Sequence, residues 1–334
     1  MSLRVGIAGA GQAGDHHAIG FAATEGAEVV AIADLNQELA RSVAERYGAR
    51  AVSDWRSLLE LEIDILVVAL PHNLHLGPAE AAAERGIHVL MEKPIAISLA
   101  DGRRIVEVCE RAGVKLTISF VHRYREELQL ARRWIGAGEI GTPMVARETM
   151  GSQRGPHLGD WVESSREAGG GVLMYSAIHG IDRLRWLLGS EVASVDARTR
   201  RFDPESEIES SVTALLSFTG GAVATLSASA PLYRSQPRFW ETELYGSSGM
   251  LRLRTREWAE LSSDSRLERV ETRSLSDELG PHYNFWRQAE AFVAAIREGR
   301  EPDVTPADGV RSLEVALAIY ESAERNESVA LVGT

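Results

Sequence analysis

The sequence predicts an α/β chain in two parts: a doubly wound parallel sheet over residues 1–122, then an α+β part with a large, mainly antiparallel sheet over 123–334. Three observations carry this. A short apolar run at Leu3–Ala8 meets glycines spaced G-x-G-x-x-G. From there to about Phe120, continuous Ile/Val/Leu runs alternate with helical patterns, as in parallel strands buried on both faces. After Arg123 the runs alternate residue by residue and are joined by glycine-rich turns, the mark of an antiparallel sheet.

The first strand, Leu3–Ala8, must turn sharply into a helix at Gly9-Ala10-Gly11-Gln12-Ala13-Gly14. Gly9 permits the tight turn, Gly11 lets backbone approach a pyrophosphate, and Gly14 lets helix and strand pack closely. The N–H groups at that helix start, from Gln12 and Ala13 onward, face the anion. This is the start of a Rossmann dinucleotide-binding unit. A second strand, Glu28–Ala33, is closed by Asp34, twenty positions after Gly14, where a carboxylate can accept from both ribose hydroxyls of an adenosine. Its charge would repel a 2′-phosphate, so NAD is favoured over NADP; Asp34 could alternatively start the following turn or cap the next helix.

Further strands fall at Ile63–Leu70, His88–Met91 and Lys115–Phe120, with amphipathic stretches at Gln37–Tyr47, Pro78–Arg85 and Leu99–Arg111. Ser98 and Asp101 form a capping box closed by Asp. Beyond Arg123 the pattern gives a helix at Glu126–Ile135, a strand at Met144–Thr149 and an irregular segment over 151–171 that carries Pro156, His157 and Trp161. A helix at Leu173–Leu188 follows. Strands then fall at Val192–Arg200, Ser210–Phe218, Ala222–Ala230, Glu241–Tyr245 and Met250–Leu253, helices at Phe285–Arg297 and Pro306–Arg325, and a last strand at Ser328–Val332. Thr305-Pro306 supplies a hydroxyl cap and a first-turn proline.

Composition excludes several classes. The chain has 334 residues, 44% of them hydrophobic, and a net charge of −12 scattered without long like-sign blocks, so neither nucleic acid nor an anionic membrane is an expected partner. No apolar run approaches the ~20 residues of a bilayer span. Cys109 is the only cysteine, which rules out an internal disulfide or a thiolate metal cluster and fits a reducing cytoplasm. Histidines lie too scattered for a metal site.

Strand His88–Met91 runs into Glu92-Lys93-Pro94 at its carboxyl end, where ligands of open parallel sheets bind. Together with the glycine loop and Pro71-His72-Asn73-Leu74-His75, this resembles the glucose-fructose oxidoreductase/inositol dehydrogenase/rhizopine-catabolism (Gfo/Idh/MocA) family of NAD(P)-dependent sugar and cyclitol dehydrogenases. The likeness continues through Gly169-Gly170-Gly171, His179-Gly180-Ile181-Asp182, Leu244-Tyr245-Gly246 and Ala318-Ile319-Tyr320-Glu321-Ser322-Ala323. It implies that Pro71, His75, Glu92 and Lys93 lie at the cofactor, that the Lys93–Pro94 peptide is cis, and that Lys93 binds the reacting hydroxyl. A partly desolvated amine there can stabilise a developing alkoxide.

The family's second signature implies an acid/base histidine at His179, with an aspartate four residues earlier. Here that position is Tyr175. Spaced i and i+4, the two side chains share a helix face. A phenol is a neutral donor/acceptor that titrates near pH ~10, so Tyr175 either contacts substrate, shares proton transfer with Lys93, or is non-catalytic. Arg123 is expected to bind a substrate hydroxyl or carboxylate, or else to form an ion pair between the two parts. His157 and Trp161 resemble the family's substrate-side segment, with a core-plug role for the tryptophan as the alternative. His72 is expected to be solvated.

The resemblance implies a dehydrogenase passing hydride between a secondary alcohol of a sugar, sugar derivative or cyclitol and NAD. Two other classes stay open: an NAD-dependent glycoside hydrolase, and a regulator that binds dinucleotide without turnover. A homodimer or homotetramer through an open face of the C-terminal sheet is expected.

Overall fold

The computed structural model describes residues 2–153, 159–231, 238–273 and 278–331. Its first sheet contains β1 (Leu3–Ala8), β2 (Ala27–Ala33), β3 (Arg50–Val52), β4 (Ile65–Val68), β5 (His88–Met91) and β6 (Leu116–Ile118). All pairs are parallel and the spatial order is β3-β2-β1-β4-β5-β6. Ile65, Leu66, Val67 and Val68 are all fully buried, which is why β4 reads as an unbroken apolar run. The order reverses between β1 and β4, so a crevice opens at their carboxyl ends.

Five helices return the chain across this sheet: α1 (Gln12–Ala22), α2 (Gln37–Arg46), α3 (Trp55–Leu58), α4 (Leu76–Ala83) and α5 (Leu99–Ala112). The Ser98–Asp101 box starts α5, with the Asp101 N–H donating to Ser98 Oγ at 3.1 Å and Ser98 Oγ donating to the Asp101 carboxylate at 2.8 Å. Gly113, at φ 69°, ends it.

Then come α6 (Glu126–Gly136), α7 (Ser165–Ala168), α8 (Ile178–Leu188), α9 (Tyr283–Glu298) and α10 (Pro306–Arg325). The second sheet is built from β7 (Pro143–Gly151), β8 (Val192–Arg200), β9 (Ser211–Phe218), β10 (Val223–Ser229), β11 (Phe239–Gly246), β12 (Gly249–Arg254), β13 (Trp258–Ser263), β14 (Arg266–Glu271) and β15 (Val329–Ala330). Its order is β14-β13-β12-β11-β7-β10-β9-β8-β15, and among the described residues β7–β10 is its one parallel pair. One face packs on α8 and α10. The other leaves Val145, Leu215 and Val223 exposed at 38%, 50% and 39%.

The structure departs from a simple division at residue 122. Helix α9 packs on the first sheet's layer, where Ala289, Phe292 and Val293 join Val5, Ile7, Phe21 and Val29 in one core. Helix α1 comes so close that a Cβ on Gly20 would lie 2.7 Å from the Phe285 carbonyl oxygen. Amphipathic spacing shows that α9 has an apolar face, but not which sheet receives it.

Candidate functional site

Each glycine of the first loop meets a different neighbour. A Cβ on Gly9 would sit 2.1 Å from the Ala69 carbonyl oxygen, and Gly9 adopts φ +104°. A Cβ on Gly14 would sit 1.9 Å from the Gly9 carbonyl oxygen. Gly11 is different: nothing of the protein lies within 4 Å of the added atom, so that space is open for a ligand. Asp34 is tied to the same loop, accepting from the Ala10 N–H at 2.8 Å and the Asn36 N–H at 2.8 Å. It does not cap α2; Asn36 does, accepting from the Leu39 N–H. An open cradle at a helix N-terminus, with a fixed carboxylate beside it, fits NAD.

Lys93 follows β5 and its peptide to Pro94 is cis. The side chain is partly buried, and Nζ donates to the Tyr175 carbonyl at 2.6 Å across the junction of the two sheets. Burial lowers the Lys93 pKa, and neighbouring Glu92 opposes that shift. Glu92 itself is held by α1: His17 Nε2 lies 2.8 Å from its Oε1, while its Oε2 accepts the Lys93 backbone N–H at 3.1 Å. Burial works against ionising Glu92, but the hydrogen bond and charge of His17, then the charge of Lys93, outweigh it and keep the carboxylate well below its ordinary range.

His179 stands at the start of α8, 6% exposed. Its ring stacks on His122 at 4.4 Å and 11°, with Phe120 and Trp240 edge-on at 5.9 and 5.7 Å. Burial and then the Lys93 charge push its pKa well below 6.5, so the imidazole is neutral at pH 7. Just before it, Leu173–Ala177 forms a π-helical turn, closed by the Ile178 N–H on the Leu173 carbonyl. Tyr175 lies in that turn and faces a cavity of about 450 Å³ that Gln12, His122 and Trp240 also line.

The other expected site residues are placed as follows. Arg123 is 5% exposed and is held by Asp182, with Nε to Oδ2 at 3.0 Å and Nη2 to Oδ1 at 2.5 Å, and by Asp308 at 2.8 Å. Those pairs engage its guanidinium and tie the segment after β6 to α8 and α10. His75 is fully buried with its ring between the Leu70 and Ile95 carbonyls, where it braces the loops that carry the site. His72 is buried rather than solvated, and its Nδ1 lies 2.8 Å from the Ala168 carbonyl. Trp161 packs edge-on against His72 at 4.7 Å. Pro71 precedes the short helical turn His72–Leu74. His157 lies outside the described residues.

His17, His122 and Trp240 belong to the site and were not singled out from the sequence. His17 carries a signal, three residues after the last glycine on the inward face of α1. The other two are gathered from the junction and β11 with no spacing that joins them. Among the described residues no group of His, Cys, Asp or Glu is arranged for a metal ion.

The fold and site define a dinucleotide-binding oxidoreductase with a second, substrate-side sheet. Residues 3–120 match the model described as the oxidoreductase family with an NAD-binding Rossmann fold, and residues 128–252 match the GFO/IDH/MocA C-terminal domain. The chain belongs to the Gfo/Idh/MocA family and is an NAD-dependent oxidoreductase. Similar proteins include D-apiose dehydrogenase of Paraburkholderia graminis, 29% identical over 92% of this chain and 84% of that one. Another is myo-inositol 2-dehydrogenase of Thermotoga maritima, 27% identical over 98% of both. Among solved structures, levoglucosan dehydrogenase in complex with NADH and levoglucosan superposes with a TM-score of 0.92 at 26% identity, covering all of both chains.

Proposed function

We propose that this enzyme oxidises a secondary alcohol of a sugar, sugar derivative or cyclitol, or reduces the matching ketone, with Lys93 and His179 at the reacting oxygen. The observation that carries this reading is that both side chains share one buried end of the crevice. Lys93 donates to the Tyr175 carbonyl, four residues before His179, and its charge is one of the causes that depress the His179 pKa. NAD, when bound, supplies the hydride acceptor. Asp34 and the loop from Gly9 to Gly14 hold the dinucleotide. Lys93 uses one N–H on Tyr175 and keeps two to orient the substrate oxygen. Neutral His179 has a ring nitrogen able to take the hydroxyl proton. Tyr175, on the cavity wall, contacts the sugar.

NADH absorbance with a panel of polyols and sugars tests this. The expected result is NADH formation with a secondary alcohol. Aglycone release without NADH, or NAD binding with no turnover on any compound, would overturn it. The exposed apolar residues on β7, β9 and β10 support a homo-oligomer through that open face, which sedimentation measures directly. A reducing cytoplasm accords with the lone, buried Cys109.

A further inference from the structure

The cavity beside Tyr175 is lined mainly by cations although the chain as a whole carries −12. Arg238, Arg256 and Arg273 line the cavity that holds Tyr175 and Trp240, and Glu257 is the one acidic residue among the described lining. Glu257 is already engaged by Arg254 at 3.2 Å and Arg273 at 3.7 Å. Arg256 makes no ion pair among the described residues.

Arg256 is also held in an unusual way. It sits in the tight turn between β12 and β13 at φ +70°, a conformation that glycine adopts freely and arginine does not. Its backbone N–H donates to Glu127 Oε1 at 2.8 Å, which fixes the turn. The residue keeps contact with solvent, yet partial desolvation and then the charges of Arg125 and Arg238, against the opposing charge of Glu127, push its guanidinium down to about 10. Behind it Arg125 is 2% exposed, with Nε and Nη1 lacking a hydrogen-bond partner among the described residues. Strain and mutual repulsion at one point persist where a ligand gains from them. Glu127 offsets the repulsion that Arg125 and Arg238 exert on Arg256 only in part, and a neutral ligand would leave the remainder in place. An anionic group would pair with these cations.

We propose that the substrate is an anionic polyol, a sugar or cyclitol bearing a carboxylate or phosphate, whose charged group is received by Arg256 with Arg238 and Arg273 while its carbinol end reaches Tyr175, Lys93 and His179. This rests on the cavity being the substrate pocket, as in the reading above. An anion there also counters the charges of Arg183 and Arg125, which add to burial and Lys93 in suppressing protonation of His179.

Calorimetric titration of the NAD-loaded protein with matched pairs tests the proposal: sorbitol against gluconate, and glucose against glucuronate and glucose phosphate. At least one anion should bind roughly tenfold or more tightly than its neutral counterpart, with the advantage shrinking as salt is added. Comparing the carboxylate and phosphate arms identifies the group. Arg256→Gly removes the cation together with the left-handed strain, so its melting temperature should hold or rise while the anion advantage falls roughly tenfold. Equal binding of neutral and anionic partners in every pair, or an anion preference unchanged in Arg256→Gly, overturns the proposal. Absence of NADH with every compound, alongside an intact anion preference, defeats the dehydrogenase reading and leaves the anionic site standing.

Discussion

Lys93 and Arg123 are both cations at the junction of the two sheets, and their partners give them opposite work. Lys93 spends one N–H on the Tyr175 carbonyl across the junction, whereas Arg123 is held by Asp182 and Asp308. Lys93→Ala should lower turnover by about 10²- to 10⁴-fold with a nearly unchanged unfolding midpoint. Arg123→Met should do the reverse, because it strands two carboxylates at a cost of about 3–5 kcal/mol. Steady-state kinetics and urea unfolding on both variants separate the two roles; a stable, inactive Arg123→Met would return that arginine to the substrate. The place of Lys93 at the carboxyl end of β5 was legible because Glu92-Lys93-Pro94 directly follows that strand's apolar run. Arg123 was not, since its partners lie 59 and 185 positions away. Arg256 gave no signal at all: its positive φ belongs to the closure of a hairpin, and nothing in Arg254-Thr255-Arg256-Glu257 announces it.

Among the elements, the glycine loop was the most legible and its three positions make separable predictions. Gly14→Ala drives a methyl to 1.9 Å from a carbonyl oxygen, so the β1–α1 packing must move and stability falls. Gly11→Ala meets no protein atom, so the fold should keep its melting temperature while NAD affinity drops roughly tenfold or more. Fluorescence titration with NADH, run beside thermal melts, reads both; equal NADH affinity in Gly11→Ala would remove the close pyrophosphate approach. Strand β3 leaves no apolar run because only Val52 of its three residues is buried, unlike the equally short but fully buried β6. The β13–β14 hairpin escaped notice for another reason: β14 is exposed or half-exposed along its length, so it shows no apolar alternation. The π-helical turn before His179 was equally invisible, since one extra residue in a helical turn leaves the apolar pattern almost unchanged.

At the scale of the whole molecule, buried imidazoles set the response to acid. His72, lowered to about 3, together with His75, His122 and His179, is held neutral in the folded state chiefly by burial. Each binds a proton near pH 6.5 only after unfolding, so the unfolded chain takes up more protons and stability falls as pH drops below 6.5. Glu148, raised to about 7 by burial against the opposing charge of Arg183, works the other way, as do Asp182, Glu209 and Glu290, but His16, His88 and His282 are lowered too, so among the described residues seven histidines outnumber four carboxyls. Urea midpoints measured from pH 7.5 to 4.5, a window set by these histidine and carboxyl ranges, should therefore decline toward acid. A flat profile would mean that the histidines are solvated.

The packing of α9 on the first sheet has a consequence for biosynthesis. During translation the ribosome releases β1, β2, β4 and β5 long before residues 283–298 emerge, so the surface that Phe292 and Val293 later cover stays wet and adhesive in the nascent polypeptide. Until almost the last helix arrives, the growing chain carries an apolar scar that a holdase would recognise, and truncation before Tyr283 would leave that scar permanent.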